Sequence, residues 1–421
     1  MKSKTQTRPR PPRRALVAKS IVRGPALSLG SQLIGLAQLL VLLWRVGANE
    51  STDAYFYLFN IGMLPIQIVI VGVMYPLLLN DDKITRRAIK RLRWLTPLLC
   101  SLLVAAGAGW LYISERLGPD LAPIAVASLV NATLQARVWF RAVTAEAAGN
   151  PRWISGVALP ANFLALLILL FPFSSAPSAV LFMICGLIIG NSVLLVVMAR
   201  LRVGDEVVRL SPRSKAQRSS ASLWFLGKAG IGYVGLTVLQ SLAVLLPASA
   251  VTLLNLAVKI VGSISATLVN SVMPILVHQK IDSPAAGRKF LRILTAGLVI
   301  ASSLGIVGVA AYRPELTVPA VCLSLWAVAS AAAGTAQRMS FRFLKPSASR
   351  VTILAVPVVV GFALASVNLP GFQLVVLLCA YAGVDAATST LLLVSLKDRL
   401  MSAILGGVSA GLAGIWFFAL R

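Results

Sequence analysis

Three ionisable side chains, Lys228, Lys259 and Asp385, stand inside stretches of sequence that are otherwise apolar. A charge in such a stretch must be paired, hydrated by a cavity or able to reach an interface, so each is a candidate for binding or ion chemistry. Lys228 sits near one end of its stretch, where a long side chain can snorkel to the interface. Lys259 lies about nine residues from an end, ~14 Å at the helical rise per residue, which favours a wet cavity. Asp385 is close to the centre of its stretch, beyond the reach of a short carboxylate to either interface. An ion pair with a lysine of another stretch, a proton or Na⁺ site, and a neutral protonated acid are the three readings. Amides at Gln32, Gln38, Asn60, Asn131 and Asn255 accompany these charges. Such groups hydrogen-bond sugar hydroxyls from a cavity wall, or bond one helix to another at about 0.6 kcal/mol each.

Other chemistries lack their residues. His278 is the only histidine, so neither a histidine metal cluster nor a Ser-His-Asp triad can be assembled. No Walker A loop occurs. Cys100, Cys185, Cys322 and Cys379 are scattered singly through apolar stretches, with no C-x-x-C spacing. No cofactor, no metal and no catalytic residue is expected. Asp53, after Ser51 and Thr52, reads as a cap at the start of the second helix rather than as a contact with cargo.

The elements that hold these residues are membrane helices. Of the 421 residues, 58% are hydrophobic and 12% charged, with a mean hydropathy of +0.86, which excludes aqueous globular classes. Thirteen apolar stretches of spanning length follow one another, an all-α polytopic membrane architecture. The net charge of +26 would suit nucleic acid in a soluble chain, but its distribution points to a membrane surface. With the N-terminus in the cytoplasm, only Arg45, Arg116, Arg313 and Arg421 fall outside and only Lys228 and Lys259 within spans. Every other Lys and Arg is then cytoplasmic, which sets the orientation and makes a nucleic-acid partner unnecessary. Residues 1–24 read as a retained basic tail at the lipid headgroups, without a signal-peptide cleavage site. Pro65 and Pro76 should bend the second helix.

The chain divides into an N-lobe at 25–199, a polar basic linker at 200–222, a C-lobe at 223–396 and an additional helix at 401–420. Gly406, Gly407, Gly411 and Gly414 suit that last helix to close packing on the second lobe. An internal repeat supports the division: Leu29-Gly30 and Ile34-Gly35 recur as Leu226-Gly227 and Ile231-Gly232. Val73-Met74-Tyr75-Pro76 recurs as Val272-Met273-Pro274. Both halves start inside, so the repeats are parallel.

Residues 31–35 (Ser-Gln-Leu-Ile-Gly) followed by 46–54 (Val-Gly-Ala-Asn-Glu-Ser-Thr-Asp-Ala) resemble the first hairpin of the lipid II flippases and related polysaccharide exporters. That superfamily also holds the multidrug and toxin extruders. Residues 134–136 with 150–155, and 248–257 with Pro274, agree with it. The resemblance implies two six-helix lobes around a cavity that opens alternately to each side, with cations holding a pyrophosphate-linked sugar. Two positions where lipid II flippases carry Arg are Gln32 and Gln38 here, and the Arg of their eighth helix is matched by Lys259. These departures favour another polyprenyl-linked glycan over lipid II itself.

The expectation is a flippase of the bacterial cytoplasmic membrane, not an enzyme. It moves a polyprenyl-pyrophosphate oligosaccharide or peptidoglycan precursor by alternating access, with membrane lipids and glycan-assembly enzymes as partners. Lys259, Lys228, Gln32, Asn131 and Asn255 would bind substrate, and Asp385 would couple an ion. A cation-coupled exporter of amphiphiles and an inactive transporter-like scaffold are the rivals. A membrane enzyme would need an outer loop larger than any in this chain.

Overall fold

The computed structural model describes residues 13–75, 78, 86–148, 150, 152–205, 220–278, 285–343 and 352–421. Among these residues the structure is helical and contains no strand. The helices are α1 (Arg13–Arg45), α2 (Glu50–Met74), α3 (Arg86–Ile113), α4 (Ala122–Ala147), α5 (Arg152–Leu169), α6 (Ala176–Arg200) and α7 (Ser220–Ala243). They continue as α8 (Ala250–His278), α9 (Ala285–Tyr312), α10 (Thr317–Phe343), α11 (Thr352–Ser366), α12 (Leu374–Ser395) and α13 (Arg399–Ala419). By length and composition, nine of the described helices suffice to cross a bilayer, and four shorter apolar stretches lie in α1, α7, α8 and α11. Helix α1 begins at Arg13, inside the stretch expected to be tail. Most of the expected linker, 206–219, lies outside the described residues.

Local sequence sets the helix ends. Asn49 caps α2 by accepting from the Ser51 and Thr52 amides at 3.0 and 3.2 Å, and Thr52 Oγ1 accepts from the Asn49 amide at 2.9 Å. This reciprocal box satisfies donors that the first helical turn leaves open. Ser175 and Ser178 form the same arrangement at the start of α6. Past Pro65, which has no amide hydrogen to give, α2 continues as a π-helix over Ile66–Met74, ending with the Tyr75 amide on the Ile70 carbonyl. The expected bend at Pro65 is thus a change of helical register, and Pro76 lies outside the described residues.

Packing falls into two sets of six helices. The principal contacts α1–α5, α2–α4, α4–α6 and α5–α6 reappear six helices later as α7–α11, α8–α10, α10–α12 and α11–α12. Helices α5 and α6 approach each other closely. A Cβ built on Gly190 would lie 2.5 Å from Ala161 Cα, and one on Gly186 would lie 2.9 Å from Ala165 Cα. This is the small-xxx-small contact by which helices associate in lipid, where apolar burial gives no drive.

Helix α13 packs on α12 and α10, but not through its glycines. Gly406, Gly407, Gly411 and Gly414 have nothing near their Cβ positions, and Met401, Leu405 and Leu412 make the buried contact instead. The expectation of close glycine packing there is corrected. The glycines recur at a spacing that places them on the faces of α13 turned away from its neighbours.

Candidate functional site

The two sets meet through α1, α2, α7 and α8. Their polar contacts descend from the end of the bundle that carries the α1–α2 and α7–α8 turns. At that end Asp53 accepts from the backbone amides of Ser249 and Thr252, each at 2.8 Å, and from the Thr252 hydroxyl. Thr252 Oγ1 also lies 3.0 Å from Thr52 Oγ1. Arg116 donates to the Leu246 carbonyl at 2.8 Å and stands 4.0 Å from Glu50.

Asp53 therefore caps α8, in the other set, and not its own helix, which Asn49 already caps. A carboxylate at a helix N-terminus meets both open amides and the positive end of the helix dipole. It also holds Ser249 at φ +87°, a left-handed backbone uncommon for a residue with a Cβ.

One turn deeper, the Tyr57 hydroxyl lies 3.0 Å from Ser241 Oγ. Deeper still, Asn60 Nδ2 donates to Asn255 Oδ1, while Asn255 Nδ2 donates to its own Val251 carbonyl at 2.9 Å. The α1–α2 end of the interface is thus closed by a ladder of cross-set hydrogen bonds.

Lys259 follows Asn255 by one turn of α8, immediately below the ladder. It is partly buried and makes no hydrogen bond or ion pair among the described residues. Holding such a cation at mid-depth in hydrocarbon costs about 2.5–3.5 kcal/mol unless water or an anion meets it.

Asp385 on α12 accepts from Trp326 Nε1 on α10 at 3.0 Å and from the Ser330 side chain. The Trp326 ring lies 5.3 Å from that of Tyr381, whose hydroxyl donates to the Leu236 carbonyl of α7 at 2.9 Å. No lysine pairs with Asp385 among the described residues, where the ion pairs are Arg116–Glu50, Arg292–Asp398 and Arg313–Glu315. Lys259 is thus not the partner of Asp385, and a pair with Lys228, whose side chain lies outside the described residues, is not addressed by these contacts.

The remaining sequence candidates separate. Asn131 is 4% exposed inside the first set and accepts from Asn191 Nδ2 at 2.9 Å, an interhelical bond between α4 and α6. Gln38 is buried and donates to Met183 Sδ at 3.2 Å. Gln32 is half-buried on α1, and the Lys228 side chain lies outside the described residues. Asp53, Asn60, Tyr57 and Ser241 form the ladder, and nothing in their local sequence marks them as partners across the interface.

A lipid II flippase, MurJ in an inward closed conformation, aligns with 94% of this chain and 91% of its own, at TM-score 0.59 and 11% identity. The chain shares its fold with that flippase. A second solved chain, described as protein A, gives TM-score 0.55 at 13% identity over 95% of this chain and 98% of its own. A eukaryotic MATE transporter gives 0.45 at 12% identity over 95% and 99%. No protein-family profile and no curated protein matches the sequence.

Proposed function

We propose that this chain is a flippase that moves a polyprenyl-pyrophosphate-linked oligosaccharide or peptidoglycan precursor across the cytoplasmic membrane by alternating access. The observation that carries the proposal is Lys259: a cation at mid-depth, without a partner among the described residues, directly beneath a closed interface between two repeated sets. The shared fold with a lipid II flippase supports the same reading. With the charge pattern setting the α1–α2 end outside, the ladder from Asp53 to Asn255 is the shut outer gate.

In this scheme the pyrophosphate replaces water around Lys259 through charge-assisted hydrogen bonds while the lipid tail stays in the bilayer. Lys228 of α7 and Gln32 of α1 are assigned to cargo binding on the strength of the sequence, and Asn255 reaches the sugar when its bond to Asn60 opens. Asp385 takes up a proton or Na⁺ and couples that uptake to movement of α10 against α12.

Lys259→Gln tests the proposal because it keeps length and hydrogen-bonding capacity while deleting the charge. A charged hydrogen bond contributes about 1.5–3 kcal/mol, so cargo affinity should fall about tenfold or more. Lys259→Arg should keep activity, since guanidinium is a permanent cation with more donors for phosphate oxygens. The measurement is accumulation of lipid-linked glycan on the inner leaflet. Full export by Lys259→Gln at normal protein level would sink the proposal.

A further inference from the structure

At the end of the first set opposite the α1–α2 turn, α3, α4 and α6 enclose a cavity of about 330 Å³. Three arginines line it: Arg93 from α3, and Arg137 and Arg141 from α4. Arg141 is fixed, its Nη1 donating to the Met198 and Val203 carbonyls at the end of α6 at 3.4 and 3.3 Å. Arg137 lies over the Trp94 ring with Cζ 5.7 Å from the centroid. Arg93 is close enough to Arg141 for their charges to repel. Asp205 acts on Arg141 from farther than ion-pair distance, and neither Arg93 nor Arg137 has a carboxylate within ion-pair distance among the described residues.

The cavity opens towards the bilayer. Val126 and Val130 lie on the face of α4 that carries Arg137, and both are exposed, as are Trp94 and Leu98 one turn apart on α3 and Val196 on α6. An exposed apolar track therefore runs from the arginines towards mid-membrane, with Trp94, 69% exposed, at its mouth. Tryptophan at the boundary between headgroups and hydrocarbon is the usual interfacial anchor. Contact between the two sets runs through other helices, α1, α2, α7 and α8, so this cavity is separate from the proposed cargo path.

In the second set an arginine of the corresponding turn has a carboxylate partner. Arg292 stands as far from the start of α9 as Arg93 does from the start of α3. It pairs with Asp398 at 3.2 Å, and Arg288 donates to the Leu396 carbonyl at 2.6 Å. Among the described residues, the first set has the arginines without a carboxylate at ion-pair distance.

We infer that the α3–α4–α6 cavity holds a resident anionic phospholipid of the bilayer, its phosphodiester on Arg93, Arg137 and Arg141 and its acyl chains along Val126, Val130 and Leu98. Basic pockets between membrane helices on the cytoplasmic side bind phosphate headgroups in this way. Arginine suits the role because its planar donors match phosphate oxygens.

The test is native mass spectrometry of the full chain from mixed micelles containing phosphatidylglycerol or phosphatidylcholine. The wild type should retain phosphatidylglycerol at least tenfold more than phosphatidylcholine, and Arg93→Gln/Arg137→Gln should abolish that preference while Arg93→Lys/Arg137→Lys keeps it. Arg141 is left intact because it holds the end of α6. If the double Gln variant is not recovered folded, Arg137→Gln alone, at an exposed position, should lower phosphatidylglycerol retention at least threefold. Equal retention by the Gln variants overturns the inference. Displacement of phosphatidylglycerol by millimolar inorganic phosphate also overturns it, since the site would then recognise the free anion.

Discussion

Lys259 and Asp385 occupy comparable depths on α8 and α12, yet each has surroundings of its own. Asp385 is held by Trp326 and Ser330, and Lys259 has no partner among the described residues. Two charges that do not meet should not rescue one another. Adding Asp385→Asn to Lys259→Gln should therefore leave the export defect of Lys259→Gln unrelieved, and recovery of export in the double variant would show a pair. Alone, Asp385→Asn should remove the dependence of vesicle transport on a proton or Na⁺ gradient, because the amide does not titrate and lacks the negative charge that would hold Na⁺. Asp53 differs from both in that it caps a helix of the opposite set, which in the proposed scheme closes the gate. Asp53→Asn keeps one acceptor and loses the charge, costing about 1.5–3 kcal/mol and shifting the gate equilibrium by about ten- to a hundredfold towards opening. A cysteine at position 259 in a cysteine-free chain should then react faster with an impermeant reagent from outside; an unchanged rate would mean the cap does not set the gate. The cost of burying charge is local, so Lys259 and Asp385 stand out in the sequence. Asp53 does not, because its partners lie 196 and 199 residues away and a cap on its own helix is the nearer explanation.

At the scale of helices, association in lipid depends on how closely backbones can approach, and that cannot be judged from the presence of glycine alone. Gly190 touches Ala161, whereas Gly406 touches nothing. Gly190→Leu should force α5 and α6 apart and destabilise the chain by about 1–3 kcal/mol, as overpacking does. Gly406→Leu should be close to neutral. Thermal unfolding of both variants in one detergent checks the pair, and equal shifts would refute the assigned roles. The sequence of α13, with four glycines, looks more like a packing surface than that of α6, and the structure reverses the order. Which face of a helix meets a neighbour depends on tertiary placement, which hydropathy does not encode once both lipid and protein interior are apolar. That helix α2 departs from regular geometry at Pro65 was legible for the opposite reason: a missing amide hydrogen acts wherever the helix lies. Its π-helical form depends on how α2 packs against α7 and was not.

For the whole molecule, number and order of helices follow from the sequence because the bilayer allows few alternatives. Orientation rests on the basic residues, so a cysteine at Ser175, in the α5–α6 turn, should react with an impermeant reagent in intact cells. One at Ser214 should react only after permeabilisation, and the reverse pattern would invert the topology. The contact between Thr52 and Thr252, 200 residues apart, has a further consequence. Asn49 and Ser249 precede α2 and α8 at that same spacing, so the two threonines are equivalent positions touching each other, which happens only on a two-fold axis. Had two identical polypeptides met about that axis, the neighbours of those threonines would have been two aspartates, side by side and mutually repelling. In the single chain the counterpart of Asp53 is Leu253, and the lone carboxylate is free to serve the opposite helix. Joining the copies end to end is what permits them to differ, and a latch with only one bolt is the result.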